Sequence, residues 1–310
     1  MPTYPRDNHV LGNHIHDIGL WTKQVAGFTQ FVSARTTVAR NTIYNTPRAG
    51  INLNDNFGGG NVLERNAVFN TVRETNDHGP INSWSRQGWV TTEGPPGPGE
   101  EDGHASPSTA VSWNLIKQNL VGGFSANEHG GMPLDYDDGT EYMHSVANVL
   151  VYGGLKSCWH SNNQRYENNL IVRPDLGRLG PQACSNCIAG APDAQSYQQR
   201  SSGGRWPKNE SKHGDTCITE TGEMYRFAGA CNPADLNGTA LFSTNSTYYS
   251  TVTPTVRCDG VGYNLSGWHA LWASAGLGEG GEGGSVHVRT ALTTDAIAAL
   301  VRERLGLEKR

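Results

Sequence analysis

The chain has little of what marks several common protein classes. Hydrophobic residues, counted without glycine, make up 36% of the 310 residues. No apolar run in the sequence approaches the roughly 18 residues that a membrane-spanning helix requires. Runs of lysine or arginine are missing, and the net charge is −5. We therefore expect neither a nucleic-acid partner nor a membrane partner.

Cysteine is absent before Cys158, and all six cysteines lie between Cys158 and Cys258. Their even number and clustering predict disulfides, and we expect at least two. A zinc site is the alternative, because two residues separate Cys184 from Cys187. Four glycosylation sequons share this half of the chain and, together with the cysteines, predict a secreted protein. The sequons begin at Asn209, Asn237, Asn245 and Asn264.

A repeated phrase organises the first half of a glycine-rich chain. Residues 41–45, followed by residues 48–54, read as an Asn, apolar residues, a second Asn, a turn, a Gly and a short alternating strand. Residues 66–70 and 77–84 repeat that order. Self-similarity at this spacing is typical of repeat architectures. Because the sequence opens almost within a repeat, we expect earlier coils or a signal peptide to be missing.

The first Asn of the phrase can be followed along the chain. If equivalent turns stack, these amides form a ladder from coil to coil. The longest interval between them contains residues 87–107, whose Gly, Pro and Glu content is typical of an exposed loop. The predicted anchors of the ladder are Asn13, Asn41, Asn66, Asn119, Asn148 and Asn168.

This pattern resembles the right-handed parallel β-helix, the pectate-lyase-like fold, over roughly residues 8–175. The resemblance implies coils of two or three short strands, with parallel strands in register and Ile, Val, Leu and Phe pointing inward. We predict an all-β chain, a right-handed parallel β-helix with long irregular disulfide-bearing loops and a C-terminal helix. A leucine-rich repeat is the alternative, but it requires several leucines at fixed offsets in each repeat.

Three segments are predicted. Residues 1–175 form the β-helix coils, and residues 176–290 form an irregular, cysteine-containing continuation of them. A separate small β domain near 205–275 is the alternative for the second segment. Residues 291–310 hold an amphipathic helix with a Thr N-cap and an apolar stripe, and we expect it to cover the open end of the β-helix.

Glycines at the start of the alternating segments align the predicted coils. After each glycine one side chain points into the coil and the next points out. Met132 and Leu134 should therefore face inward, whereas Asp135 and Asp137 should face outward. Because adjacent coils lie about 4.8 Å apart, the outward side chains should stack on one external face. The aligned glycines are Gly19, Gly50, Gly79, Gly131 and Gly154.

Acidic residues on that face suggest catalysis. Two outward carboxylates on one strand fit the acid and the partner carboxylate of a glycosidase, and we assign these roles among Asp135, Asp137 and Asp138. Asp77 or His78, from the turn before Gly79, would support them. A solvated acidic loop is the alternative. We predict no metal or cofactor, with calcium bound by the acids as the alternative.

Aromatic and basic residues near the acids suggest sugar subsites. A Trp can stack on a sugar ring, and Arg or Lys side chains can hold a uronate carboxylate or a sulfate. A Trp packed beneath a loop is the alternative. The predicted substrate-binding residues are Trp84, Arg86, Asn54, Lys156, His160, Lys23 and Arg48.

The resemblance to β-helix proteins also guides the functional prediction. It implies an enzyme acting on polysaccharides, and we predict a secreted glycoside hydrolase with an oligosaccharide or polysaccharide as its partner. Polygalacturonase-like hydrolases carry three motifs, Asn-Thr-Asp, Asp-Asp and Gly-His-Gly. This chain has only the second of them, as Asp137-Asp138. The alternatives are a lyase acting on uronic polymers, with Arg86 near Asp135 as its base, and a non-catalytic glycan-binding adhesin.

Overall fold

The computed structural model is mainly β, with three parallel sheets stacked in a β-helix-like pattern and two short helices. Neither helix of the described part is long and apolar enough to cross a membrane. The structure describes residues 5–55, 58–75, 78–85, 113–122, 132–137, 139–157, 162–174, 185–188, 210–220, 222–228, 241–258, 260–274, 285–288 and 292–307.

The strands are short, as expected where each is only one side of a coil. In chain order they are β1 (His9–Leu11), β2 (His14–His16), β3 (Phe28–Gln30), β4 (Thr37–Ala39), β5 (Thr42–Tyr44), β6 (Ile51–Leu53), β7 (Val62–Glu64), β8 (Ala67–Phe69), β9 (Ile81–Ser83), β10 (Asn114–Lys117), β11 (Leu120–Gly122), β12 (Leu134–Tyr136), β13 (Glu141–Val146), β14 (Val149–Val151), β15 (Leu155–Ser157), β16 (Asn162–Glu167), β17 (Leu170–Val172), β18 (Ser185–Ile188), β19 (Glu210–His213), β20 (Thr216–Thr219), β21 (Glu223–Ala228), β22 (Leu241–Thr244), β23 (Thr247–Ser250), β24 (Thr255–Cys258), β25 (Val261–Asn264) and β26 (Ser285–Val288). The helices are α1 (Leu265–Ser274) and α2 (Thr294–Arg304).

Strand pairing at intervals of three defines the coils. Sheet 1 has the order β1-β4-β7-β10-β13-β16-β19-β22, and sheet 2 has the order β2-β5-β8-β11-β14-β17-β20-β23-β26. Sheet 3 has the order β3-β6-β9-β12-β15-β18-β21-β24-β25. Pairing is parallel except that β25 runs antiparallel to β24. Each turn of the chain therefore adds one strand to every sheet, and β18 to β24 continue the same sheets beyond residue 175.

One side chain in two points into the coil and forms a continuous apolar column. On sheet 2 the inward position of successive strands is aliphatic and almost fully buried. Stacking like on like gives each inward residue neighbours above and below, so short strands can still bury a continuous core. This column includes Ile43, Val68, Val121, Leu150 and Ile171.

A ladder of buried asparagines follows the corner between sheets 1 and 2. Oδ1 of Asn66 accepts hydrogen bonds from the backbone N and from Nδ2 of Asn41, both at 3.0 Å. Oδ1 of Asn119 accepts the same two bonds from Asn66, both at 2.9 Å. The predicted ladder is therefore present. Its rungs are Asn13, Asn41, Asn66, Asn119, Asn148, Asn169 and Asp215.

The sixth rung is Asn169, so the predicted anchor Asn168 is wrong by one residue. Asn168 has a φ of 55°, the left-handed conformation that Asn tolerates better than most residues. Arg40 and Arg65, which precede earlier rungs, have φ values of 57° and 55°. The turn therefore requires one left-handed residue before each rung, and in this coil an Asn fills both positions.

The first coil departs from the predicted alignment. β3 pairs with β6, and the glycine before β3 is Gly27, which therefore corresponds to Gly50 in place of Gly19. A Cβ at Gly27 would lie 2.8 Å from the Gly50 carbonyl oxygen, so the two turns approach too closely for a side chain. The prediction that Lys23 lies in a strand of this face is wrong, because residues 17–27 contain no strand.

The cysteines are only partly within the described residues. Cys217 and Cys258 belong to the interior cluster and are 2% and 1% exposed. The side chains of the other cysteines lie outside the described part of the chain. The predicted disulfides therefore stay a prediction.

The predicted C-terminal helix is present as α2. Thr293 caps it by accepting a hydrogen bond from the backbone N of Ala296 at 3.2 Å, as a Thr N-cap should. Its position is not the predicted one, because it packs on the outer face of sheet 2. There Ile297, Leu300 and Val301 contact a cluster that includes Leu170.

The other helix, α1, lies at the end of the interior core. It follows β25 directly, and Trp268 in its middle is 2% exposed within the interior cluster. Leu265 and Leu271 pack against the same cluster. α1 therefore covers core surface near the last coil, the role that the sequence analysis gave to α2.

Candidate functional site

A polar row runs along the outer face of sheet 3. Strand pairing aligns Asn52 with Asn82, Asn82 with Asp135, and Asp135 with Lys156. Nδ2 of Asn82 donates to Oδ1 of Asn52 at 2.9 Å. All four residues are at most 2% exposed, although they point away from the interior. We call these four residues the polar row of sheet 3.

Lys156 joins two of the predicted acids. Its Nζ lies 2.7 Å from Oδ1 of Asp135 and 3.3 Å from Oδ1 of Asp137. The side chains of Lys156 and Asp135 are 3% and 0% exposed, whereas that of Asp137 is 16% exposed. Of these three charged groups, only the Asp137 carboxylate is presented partly to solvent.

The two carboxylates lie close together. Because their oxygens contact the same Nζ, at 2.7 and 3.3 Å, they are nearer to each other than the sum of those distances. Paired glycosidase carboxyls lie about 5 to 9.5 Å apart. This upper limit allows the closer, retaining spacing but does not establish it, and the ammonium between the two carboxylates ties the buried Asp135 to a structural role.

The strand that carries the acids is fixed from its inner side. Leu134 and Tyr136 point into the core and are fully buried. The Tyr136 hydroxyl and Ser145 Oγ share a hydrogen bond of 2.7 Å, and burial raises the pKa of Tyr136, so its hydroxyl stays neutral. With alternate residues locked inward, Asp135 and Asp137 must point outward, as the sequence predicts.

Two other predicted residues belong to the same face. Asn54, Trp84 and Asp137 each follow the strand of one coil, at equivalent positions. The backbone N of Trp84 donates to the Leu53 carbonyl at 3.0 Å, and that of Asp137 to the Ser83 carbonyl at 2.8 Å. Trp84 is partly exposed and Asn54 is 6% exposed. Trp84 is therefore one coil away from Asp137.

The turn that carries His78 lies against the acidic strand. A Cβ added to Gly79 would come within 1.9 Å of the Met132 carbonyl oxygen and 2.7 Å of the Asp135 Cβ. Only glycine allows this approach. His78, the residue before Gly79, is half-buried, so the structure brings this predicted residue near Asp135.

Two predicted substrate-binding residues are elsewhere. Lys23 forms an ion pair with Glu74 at 2.8 Å, and Arg48 donates to Gln24. These contacts lie between the strands of sheets 2 and 3, away from the polar row. The prediction that Lys23 stacks with Asp135 and Lys156 is wrong, because the alignment of the first coil was offset. The predicted substrate-binding role of Arg48 stays a prediction.

The remaining predicted site residues lie outside the described residues. They are Asp77, Asp138, Arg86 and His160. The calcium alternative also rests partly on them. Within the described residues, no group of three or more His, Cys, Asp or Glu side chains comes together as a metal site.

The sequence analysis gave Asn52 and Asn82 no role. The structure makes them the uncharged half of the polar row, next to Asp135. The same alternation that identified Asp135 could have identified them, because strand pairing puts all three at the same position of successive coils. Comparison with protein-family models, curated proteins and solved structures gives no match for the chain.

Proposed function

We propose that the protein is a secreted carbohydrate-active enzyme, a glycoside hydrolase that acts on a polysaccharide along the outer face of sheet 3. The observation that carries this proposal is the buried Asp135–Lys156 ion pair, which holds the partly exposed Asp137 carboxylate. We also propose that the coil is right-handed, as in the pectate-lyase-like fold, since parallel crossovers are right-handed in the great majority of proteins.

Asp137 would be the reacting carboxylate. Lys156 offsets its charge and fixes its orientation through Oδ1, which leaves the second oxygen to meet a sugar carbon or a water. An oriented carboxylate is what a retaining nucleophile or an inverting base requires. Asp138 remains the sequence candidate for the acid that protonates the leaving oxygen, with Asp77 or His78 in support.

Asp135 and Lys156 would be positioning residues. Both are buried, so neither offers its charge to a polysaccharide. Burying an ion pair seldom adds net stability, because the desolvation penalty is about as large as the attraction. A preorganised charge beside a reacting group lowers the cost of reorganisation during the reaction, and this benefit supports a catalytic reason for the pair.

Trp84 would contribute a sugar subsite. It follows the strand of the adjoining coil at the position equivalent to Asp137, and adjacent coils lie about 4.8 Å apart. A partly exposed indole at that distance can stack on the apolar face of a sugar next to the cleaved bond. The position of Trp84 one coil from Asp137 supports this proposed subsite.

A polysaccharide panel tests the proposal. The purified protein is incubated with neutral, uronic and sulfated polysaccharides, with added calcium and with a chelator in parallel. We expect new reducing ends without the absorbance of unsaturated uronates. Reducing ends with that absorbance would favour the lyase, and binding without cleavage would favour the adhesin; either result overturns the hydrolase.

A further inference from the structure

The asparagine ladder obeys one bonding rule in every coil that it crosses. Besides the bonds between rungs, Nδ2 of each rung donates to the carbonyl three residues before the previous rung. Asn66 donates to the Val38 carbonyl at 2.9 Å, and Asn169 donates to the Ser145 carbonyl at 3.0 Å. Asn41, Asn119 and Asn148 follow the same rule, donating to Val10, Leu63 and Ile116.

Asp215 occupies the seventh rung. Its Oδ1 accepts from the backbone N of Asn169 at 2.7 Å and from Nδ2 of Asn169 at 3.0 Å, as the Asn rungs do. Its Oδ2 stands where the other rungs carry an NH₂ group. That oxygen is buried and has no hydrogen-bond partner in the structure, and the residue is 6% exposed.

The bonding rule of the Asn rungs identifies the hydrogen-bond partner expected for Oδ2 of Asp215. Three residues before Asn169 is Tyr166, so its carbonyl is the acceptor that an Asn at position 215 would bond. If Asp215 were ionised, Oδ2 and the Tyr166 carbonyl oxygen would face each other as two buried acceptors without a hydrogen between them, which is unfavourable. A carboxylic acid would instead donate one hydrogen bond and restore the rule.

We propose that Asp215 is a proton-binding rung: in the folded protein its carboxyl is protonated, Oδ2 donates to the Tyr166 carbonyl, and release of this proton weakens the C-terminal coils. The proton takes the place of the amide hydrogen that the other rungs supply. The ladder thus ends in a group whose bonding depends on pH.

The surroundings of Asp215 agree with this assignment. Burial raises its pKa to about 7, although the two hydrogen bonds from Asn169 and the charges of Lys212 and Arg304 act to lower it. Lys212 is engaged with Glu210, at 6% exposure for both side chains. The ammonium of Lys212 also lies 5.5 and 5.1 Å from the ring centroids of Tyr166 and Tyr225.

The remaining groups near the carboxyl are neutral and polar. The hydroxyls of Tyr225 and Tyr248 are bonded to each other at 3.0 Å. Ser246, at the position of the next rung, is 1% exposed, and its Oγ has no hydrogen-bond partner in the structure. No second carboxylate from the described elements bonds to Asp215, so its proton is not shared with another acid.

The direction of the pH effect follows from the two pKa values. The pKa is about 7 in the folded protein against 3.8 for the unperturbed group. The protonated Asp215 carboxyl therefore stabilises the fold fully below pH 3.8, and this stabilisation is lost as the pH rises to about 7. Between these two pH values, ionisation of Asp215 raises the equilibrium constant for unfolding by up to about tenfold for each pH unit.

Asp215→Asn tests the proposal without a change in shape. An amide supplies the hydrogen at every pH, so the variant should match the wild type near pH 4 and exceed its Tm at pH 8. Asp295→Asn, a carboxyl change on exposed α2, is the matched control and should show no such growing difference. An Asp215→Asn difference that is constant with pH, or that falls as pH rises, would overturn the proposal.

A direct titration decides the question even if the variant folds poorly. Wild-type protein labelled with ¹³C at the Asp carboxyl carbons is followed by NMR from acid to alkaline pH. We expect one carboxyl resonance to titrate near pH 7, where the pKa of Asp215 lies. If every carboxyl titrates below about pH 5, Asp215 is not protonated and the proposal fails.

Discussion

The outer faces of sheets 2 and 3 are built on the same coils but bury opposite kinds of side chain. On sheet 2 the outward residues Val149, Leu170, Val172 and Ile218 are apolar and meet the apolar stripe of α2. On sheet 3 the buried outward residues form the polar row, with Asp135 against Lys156.

Stability alone explains the side chains buried on the outer face of sheet 2, but not those buried on the outer face of sheet 3. Covering apolar residues with a helix is favourable, about 25 cal/mol for each Å² removed from water, so the face of sheet 2 is explained by stability. Burying two charges yields little net stability. The face of sheet 3 therefore needs another explanation, and the proposed catalytic role of Asp137 would supply one.

Breaking the ion pair of sheet 3 should have the largest effect on stability. Lys156→Met removes the cation that contacts the fully buried Asp135, and we expect a loss of about 3–5 kcal/mol in the free energy of unfolding. Urea denaturation followed by circular dichroism measures it. A loss below about 1 kcal/mol would be typical of an exposed ion pair and would contradict the buried pair.

Replacing both partners sharpens that result. Asp135→Leu combined with Lys156→Met removes both buried charges, and we expect stability to return to near the wild-type value. Turnover should stay low, because Asp137 has still lost its ammonium partner. A double variant with normal turnover would remove the positioning role from Lys156.

A change on sheet 2 should lower stability alone. Leu170→Ala removes a fully buried side chain that packs beneath α2, and we expect a loss of about 3 kcal/mol. Hydrolysis measured below the melting temperature should be unchanged, because Leu170 is on the other face. If Leu170→Ala lowered turnover as much as Lys156→Met does, the two faces would not differ in function.

The N-cap of α2 should give the smallest effect. Thr293→Ala removes the hydroxyl that accepts from Ala296, at a cost of about 1 kcal/mol. Thermal unfolding measures the change, and Thr293→Ser should recover most of it, since Ser caps as well as Thr. A Ser variant as unstable as the Ala variant would show that the cap bond is not responsible.

The sequence predicted the repeats well because each coil repeats its own chemistry. Asn41 and Asn66 have equivalent neighbours, and both form rungs of the ladder. The alternation around Leu134 likewise placed Asp135 and Asp137 outward. These features depend on local periodicity and on stacking, which a single sequence contains.

Features that depend on choices between similar neighbours were not predictable. Asn168 and Asn169 are adjacent, and only backbone conformation decides which forms the rung. Gly19 and Gly27 are equally good strand starts by sequence, and pairing with β6 selects the second. The site of α2 depends on an apolar patch assembled from distant coils, which no local pattern reveals.

The most direct test of the functional assignment is the turnover of Asp137→Asn on the polysaccharide that the wild type cleaves best. The variant keeps the size of the side chain, and Glu303→Gln on the exposed surface of α2 is the control. We expect Asp137→Asn to lower kcat at least about a hundredfold in a protein that stays folded, with only a modest fall in Tm from the lost contact with Lys156, and the control to keep full activity. Wild-type turnover in Asp137→Asn would contradict the assignment of Asp137 as the reacting carboxylate.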